Sequence, residues 1–198
     1  MNLANRLTIL RILLVPVFML FIFIDRTSTR FIALFIFVGA SLTDLCDGWL
    51  ARRHNYITNF GKFMDPLADK LLVSAALISF VELRELNIPA WMVIIIITRE
   101  FIITGLRSVA ASKGKVLAAS KTGKYKTTSQ MVSISIILII LVLNAMYNQG
   151  YINLAMPGIG WFKLTRAICY WLLALTTLLT AISGASFIYK NWKLISEE

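Results

Sequence analysis

Four aspartates in one stretch of this chain have the spacing of a metal site. Asp44 and Asp47 are three residues apart, and Asp65 and Asp69 are four residues apart, so each pair shares one face if its segment is helical. Two such faces packed together would bring four carboxylates to one point, where their repulsion in a low dielectric requires cations. Because all of these ligand atoms are oxygens, they suit a hard ion such as Mg²⁺ or Mn²⁺ better than zinc.

Small residues and an arginine accompany the aspartates. Gly48, Ala51 and Gly61 either allow close helix packing or leave room for a flat ligand against the backbone, and both interpretations stay open. Arg52 carries a planar fork of donors that suits phosphate oxygens. Carboxylates, metal ions and an arginine together indicate a diphosphate site, because Mg²⁺ commonly binds through a few carboxylates and substrate phosphates.

The complete pattern resembles the signature of the CDP-alcohol phosphatidyltransferases, which reads Asp-x-x-Asp-Gly-x-x-Ala-Arg, eight residues, then Gly-x-x-x-Asp-x-x-x-Asp. Every fixed position is filled, by Asp44, Asp47, Gly48, Ala51, Arg52, Gly61, Asp65 and Asp69. The resemblance implies a homodimeric membrane enzyme in which aspartates and two divalent cations, Mg²⁺ or Mn²⁺, hold the diphosphate of a CDP-linked donor. An alcohol then attacks the phosphorus nearer the lipid, and CMP leaves.

The resemblance also implies a role for each motif residue. Asp44, Asp47 and Asp65 are the implied metal ligands, and Asp69 is the implied general base with a share in metal binding. The implied contacts to the CDP portion and its diphosphate come from Asn5, Thr8, Gly48, Ala51, Arg52 and Gly61.

The beginning of the chain allows two interpretations. Asn5, Thr8 and Arg11 recur at three-residue spacing, so in a helix they lie near one face. In one interpretation Arg11 is an ordinary positive-inside anchor that extends to the membrane interface. In the other, all three residues face the pocket of the aspartates, and the family resemblance favours this ligand role for Asn5 and Thr8.

Composition predicts a membrane protein. The 198 residues are 58% hydrophobic and 15% charged, and the mean hydropathy is +0.76. Several apolar runs reach the length that crosses a bilayer, and the first has no clear cleavage site after it. We expect an all-α, polytopic protein with a single domain over 1–198 and six transmembrane helices, at about 7–24, 31–50, 60–81, 90–111, 127–147 and 164–189.

The charge of the chain predicts its orientation. The formal net charge is +10, and basic residues cluster at the N-terminus, after Asp47, after Arg107 and near the C-terminus. The positive-inside rule then places both termini and the active-site cavity on the cytoplasmic side of the plasma membrane. Anionic membrane lipids explain the charge of so apolar a chain better than nucleic acid does, so we expect no nucleic-acid partner.

A second group of cations suggests the acceptor. Arg107, Lys121 and Lys124 can bind a phosphate monoester apart from the diphosphate, although a solvated loop explains the two lysines equally well. The segments Thr98–Arg107 and Ala118–Thr127 resemble those of bacterial phosphatidylglycerophosphate synthases. This resemblance implies CDP-diacylglycerol as donor and glycerol 3-phosphate as acceptor. Inositol phosphate would use the same cations, whereas serine or phosphatidylglycerol would need fewer.

Charges within the fourth apolar run leave two further alternatives open. Arg99 and Glu100 either form a local structural pair or act at the site, and Glu100 and Arg107, seven residues apart, would point into one cavity. An ion-coupled transporter would also carry acids in its spans. Its acids should lie near the bilayer midplane, however, whereas the aspartates here lie near one membrane face.

Overall fold

The computed structural model describes residues 3–54, 59–112, 121–152 and 160–196, with side chains described for 8–43, 68, 70–112, 123, 126–152 and 160–191. Over the described backbone the chain forms six helices and no strand: α1 (Leu3–Phe23), α2 (Thr27–His54), α3 (Asn59–Glu82), α4 (Ala90–Ser112), α5 (Lys121–Asn148) and α6 (Trp161–Ser196). The predicted all-α fold is confirmed, and each expected apolar span corresponds to one helix.

Several helices extend beyond their apolar runs. The sequence placed the segment before Thr127 in a loop, but α5 already begins at Lys121. That prediction was wrong because the apolar run marks only where a helix is hydrophobic, whereas lysine and threonine are also compatible with a helical backbone. Lys121 and Lys124 therefore lie on the first turns of α5 rather than in a loop.

Among the described residues, two helices are long and apolar enough to cross a bilayer by length and composition. They are Lys126–Asn148, with a mean hydropathy of 2.1, and Trp161–Asn191, with a mean hydropathy of 1.7. Two shorter apolar helices cover Thr8–Phe23 and Thr27–Thr43. The two long helices, of 23 and 31 residues, have the length that a bilayer requires of a spanning helix.

The six helices pack in a closed ring. α1 contacts α2 and α3, α2 packs on α5, α5 on α6, α6 on α4, and α4 on α3. Fully buried side chains fill the ring, among them Phe18, Phe37, Phe80, Met92 and Leu138. The helices α1, α3 and α5 begin at one end of the ring, which we call the motif end because α2 ends and α3 begins there with the aspartates. We call the other end of the ring the opposite end.

An ion pair closes the opposite end. Arg30 of α2 is 3% exposed, and its Nη1 donates to Glu85 Oε2 at 3.2 Å and to the carbonyl of Leu141 at 2.9 Å. Its Nη2 contacts Glu85 Oε1 and lies 3.1 Å from Asp25 Oδ1. The backbone carbonyl of Glu85 also accepts a hydrogen bond from Arg166 Nε at 2.9 Å. The connection between α3 and α4 is thereby joined to α2, α5 and α6.

Replacing Arg30 with methionine should destabilise the fold. The change keeps an apolar stem but leaves Glu85 without its two-point partner, and breaking a buried pair in this way costs about 3 kcal/mol. The free energy of unfolding of the purified protein in detergent measures the effect. Arg26→Met is the matched control, because Arg26 is an exposed arginine one turn earlier. Equal losses in the two variants would contradict this role of Arg30.

Candidate functional site

The aspartate motif lies on two helices. Asp44 and Asp47 belong to α2, and Asp65 and Asp69 belong to α3. Each pair of aspartates therefore lies on a helix, as the argument from their spacing requires. The side chains of the motif lie outside the described residues, as do those of Asn5, Lys121 and Lys124, so their roles stay predictions. By backbone, Gly48, Ala51 and Arg52 also lie on α2, Gly61 on α3, and Asn5 and Thr8 on α1.

A cavity of about 630 Å³ lies inside the ring beside the motif. Lys70, which directly follows Asp69, and Ser41, one turn before Asp44, both line it. Its other polar lining residues include Arg11, Glu100, Lys126 and Gln130. The site is thus bounded by charged side chains from α1, α3, α4 and α5.

The cavity is apolar on its other side. Apolar side chains from α2 to α5 continue the lining, among them Val38, Leu72, Leu77, Ile96 and Ile136. Leu42 of α2 and Val132 of α5 also line it, and each is at least half exposed, so the cavity reaches the protein surface beside them. A ligand with one charged part and one apolar part would match both linings.

Three charged side chains from three helices meet in the cavity wall. Lys70 Nζ of α3 donates to Glu100 Oε2 of α4 at 2.6 Å, and Lys126 Nζ of α5 contacts Glu100 Oε1. Lys126 is only 2% exposed and Glu100 is 13% exposed. Because two lysines share one carboxylate, the formal charge of the group is positive. We refer to Lys70, Glu100 and Lys126 as the charged triad.

Arg99 lies against α6 instead. Its Nη2 donates to Ser183 Oγ at 2.9 Å, and a Cβ built on Gly184 would lie 2.9 Å from Arg99 Cγ. Its distance from Glu100 Oε1 is 3.8 Å, longer than the contact of either lysine. A purely local Arg99–Glu100 pair therefore does not describe Glu100, whose closer partners come from α3 and α5.

Arg107 does not share the cavity with Glu100. Among the described residues that line the cavity, Glu100 is present and Arg107 is not. The carbon of its guanidinium lies 5.2 Å from the ring centroid of Phe187 in α6. The expectation that both residues point into one cavity was wrong, because a long arginine side chain can extend sideways to an aromatic ring that attracts its charge.

The structure decides between the two interpretations of the first helix only for Arg11, because Thr8 is not among the described residues that line the cavity and the side chain of Asn5 lies outside the described residues. Thr8 and Arg11 are both buried, and Arg11 lines the cavity. An arginine that extended to the membrane interface would be exposed, so the anchor interpretation of Arg11 does not hold.

Sequence reasoning missed Lys70 and Lys126 as site residues. Lys70 directly follows Asp69, the last residue of the motif, and Lys126 lies in the segment Ala118–Thr127, three residues after Gly123. A signal was nevertheless present, because a carboxylate such as Glu100 within an apolar helix requires a cationic partner from another helix.

Known proteins resemble the chain over most of its length. The model of the CDP-alcohol phosphatidyltransferase family matches residues 1–182. The chain is 38% identical over 206 residues to the CDP-diacylglycerol--glycerol-3-phosphate 3-phosphatidyltransferase of Bacillus subtilis, covering 98% of this chain and 97% of that protein. Proteins of the same name are 36% identical in Rickettsia typhi, over 92% and 94% of the two chains, and 43% identical in Haemophilus influenzae, over 67% and 73%.

Adding a methyl group at Gly184 should destabilise the protein despite the better helix propensity of alanine. Gly184→Ala places a Cβ too close to Arg99 Cγ, which is near the base of that side chain, and overpacking of this kind costs about 1 kcal/mol or more. Gly39→Ala is the matched control, because nothing lies within 4 Å of a Cβ there. It should be neutral or stabilising by up to about 1 kcal/mol. Unfolding free energies measure both, and equal values would contradict the close packing at Gly184.

Proposed function

The chain belongs to the CDP-alcohol phosphatidyltransferase family, and we propose that it transfers the phosphatidyl group of CDP-diacylglycerol to glycerol 3-phosphate, giving phosphatidylglycerophosphate and CMP. The resemblance carried by the motif is thereby confirmed. The names of the relatives support this donor and this acceptor. The structural observation that carries the proposal is the cavity beside the complete motif, charged on one side and apolar on the other.

The two linings match the two parts of the donor. Arg11 lines the charged side next to the motif, where a diphosphate would lie. Leu72 and Leu77 continue along α3 into the apolar side, which suits diacylglycerol. Arg52, with Gly48 and Ala51 near it on α2, would contact the CDP portion, and Gly61, Asn5 and Thr8 would complete that contact.

The donor set of the motif fits two divalent cations. Asp44, Asp47 and Asp65 would hold them, with a share for Asp69, because four carboxylates without nitrogen or sulfur ligands suit Mg²⁺ or Mn²⁺. Once bound, such ions neutralise the negative charge that builds on phosphoryl oxygens. Asp69 would accept the proton of the attacking hydroxyl group, which makes the alcohol a better nucleophile.

The acceptor phosphate would bind to cations at the end of α4 and the start of α5. Arg107, Lys121 and Lys124 are proposed for this role, and the helices that carry them meet the cavity through Glu100 and Lys126. Since Arg107 lies over Phe187 in the structure, its guanidinium would have to turn toward the acceptor. Inositol phosphate as acceptor would use the same cations.

The same proposal covers the membrane arrangement. The described helices are 21 to 36 residues long, and about 20 residues span a bilayer. Six spans in one domain over 1–198 would put both termini on the same side, and the basic clusters make that side, with the cavity, cytoplasmic. A homodimer in the plasma membrane is proposed from the family.

CMP release tests the reaction. The purified protein receives CDP-diacylglycerol with Mg²⁺ or Mn²⁺ and, in parallel, glycerol 3-phosphate, serine or inositol phosphate. We expect metal-dependent turnover with glycerol 3-phosphate alone, and a fall of about 10²- to 10⁴-fold in Asp69→Asn, because that change removes the general base.

Each other result would contradict a definite part of the proposal. Turnover with serine would overturn both the acceptor and the role of Arg107, Lys121 and Lys124, whereas turnover with inositol phosphate would overturn the acceptor alone. Turnover that chelation of the metal leaves unchanged would overturn the role of the aspartates as ligands. The absence of CMP release with every acceptor would overturn the transferase reaction and return attention to ion-coupled transport.

A further inference from the structure

The charged triad has a geometry that a helix contact alone does not require. Lys70, Glu100 and Lys126 come from α3, α4 and α5, and all three line the cavity. Lys126 is almost completely buried and Lys70 is 21% exposed. The two ammonium groups are thus held at the wall of a cavity rather than in bulk water, where lysine would normally extend.

We infer that Glu100 is a positioning residue that holds Lys70 and Lys126 as an anion clamp for the phosphate of the acceptor. The inference rests on the proposed function and deepens it, because it adds two lysines and their orienting carboxylate to the acceptor site. An ammonium carries three N–H donors, so Lys126 can contact Glu100 and an anion at the same time.

The carboxylate is needed because lysines alone would not stay together. Two ammonium groups in a partly buried wall repel each other and lose hydration, and each sits on a flexible four-carbon stem. Glu100 offsets that repulsion and restricts both stems, which lowers the entropy that a phosphate must remove on binding. With one negative and two positive charges, the triad still attracts an anion.

The position of the triad favours the acceptor over the donor. The donor diphosphate is the proposed ligand of the cations held by α2 and α3. Two members of the triad instead lie on α4 and α5, the two helices that also carry the cations proposed for the acceptor phosphate. Arg99 does not compete for this role, because its guanidinium is bonded to Ser183 in α6.

A merely structural triad makes a different prediction. If Lys70, Glu100 and Lys126 only join three helices, their loss lowers stability and affects both substrates alike. If they clamp phosphate, Glu100→Gln selectively weakens the acceptor. Glu85 provides a matched control, because it is a partly buried glutamate that also pairs with a cation, Arg30, but lies at the opposite end.

The experiment compares Glu100→Gln, Lys126→Met, Lys126→Arg and Glu85→Gln with the wild type in detergent. Calorimetry gives the Kd of glycerol 3-phosphate, and CMP release gives the KM of each substrate. For Glu100→Gln and Lys126→Met we expect the acceptor Kd and KM to rise about 10- to 100-fold. Lys126→Met removes a charge-assisted hydrogen bond to the phosphate, and Glu100→Gln removes the carboxylate that holds both lysines in place. The KM of CDP-diacylglycerol should change less than about threefold, Lys126→Arg should retain most acceptor affinity, and Glu85→Gln should leave both KM values unchanged.

The possible results distinguish a failure of the anion clamp from a failure of the proposed transferase reaction. CMP release with an unchanged acceptor Kd and KM in Glu100→Gln would overturn the inference alone, and so would equal rises for both substrates. If the wild type binds glycerol 3-phosphate but releases no CMP, and Glu100→Gln loses that binding, the result would support the anion clamp and contradict the reaction. If Glu100→Gln does not fold, the pair at Lys126 decides: affinity kept by arginine and lost by methionine supports the clamp, and equal affinities overturn it.

Discussion

Charge inside an apolar helix bundle persists only where an opposite charge or a ligand compensates it. The structure meets this constraint differently at the two ends of the ring. At the opposite end Glu85 accepts two contacts from Arg30, which also donates to the carbonyl of Leu141. At the motif end two lysines share Glu100 and border a cavity. One end is thus a closed structural contact, and the other borders the cavity in which we propose that a ligand binds.

This difference explains how an apolar chain can maintain a polar site. The contacts at Arg30 join α2, α5 and the connection between α3 and α4, far along the chain from the aspartates. Arg99 joins α4 to α6 at Ser183. The side chains that make these contacts are not among the described residues that line the cavity, so these helix contacts and the site use different side chains. Such separation of support from function is what a preorganised site requires.

The hydrophobic runs of the sequence predicted the number and approximate position of the helices, but not where every helix begins or which helices pack together. Apolar length located six helices but not the start of α5, because Lys121 and Lys124 carry no apolar signal although their backbone is helical. The order of helices around the ring was not predictable, since it depends on which side chains fit together. The aspartate pattern needed only helical spacing and was found from sequence, whereas the charged triad needed knowledge of which helices meet. For Arg107 the sequence correctly predicted a position on α4, but it did not predict the direction of the long side chain, which lies against Phe187 rather than in the cavity.

The central claim is that the lipid-linked phosphorus is transferred to the hydroxyl group of glycerol 3-phosphate. Mass spectrometry of the lipid made from CDP-diacylglycerol and isotopically labelled glycerol 3-phosphate tests it most directly. The account predicts phosphatidylglycerophosphate that carries the label, formed in proportion to CMP. Phosphatidic acid without label would show transfer to water instead, and would contradict the account.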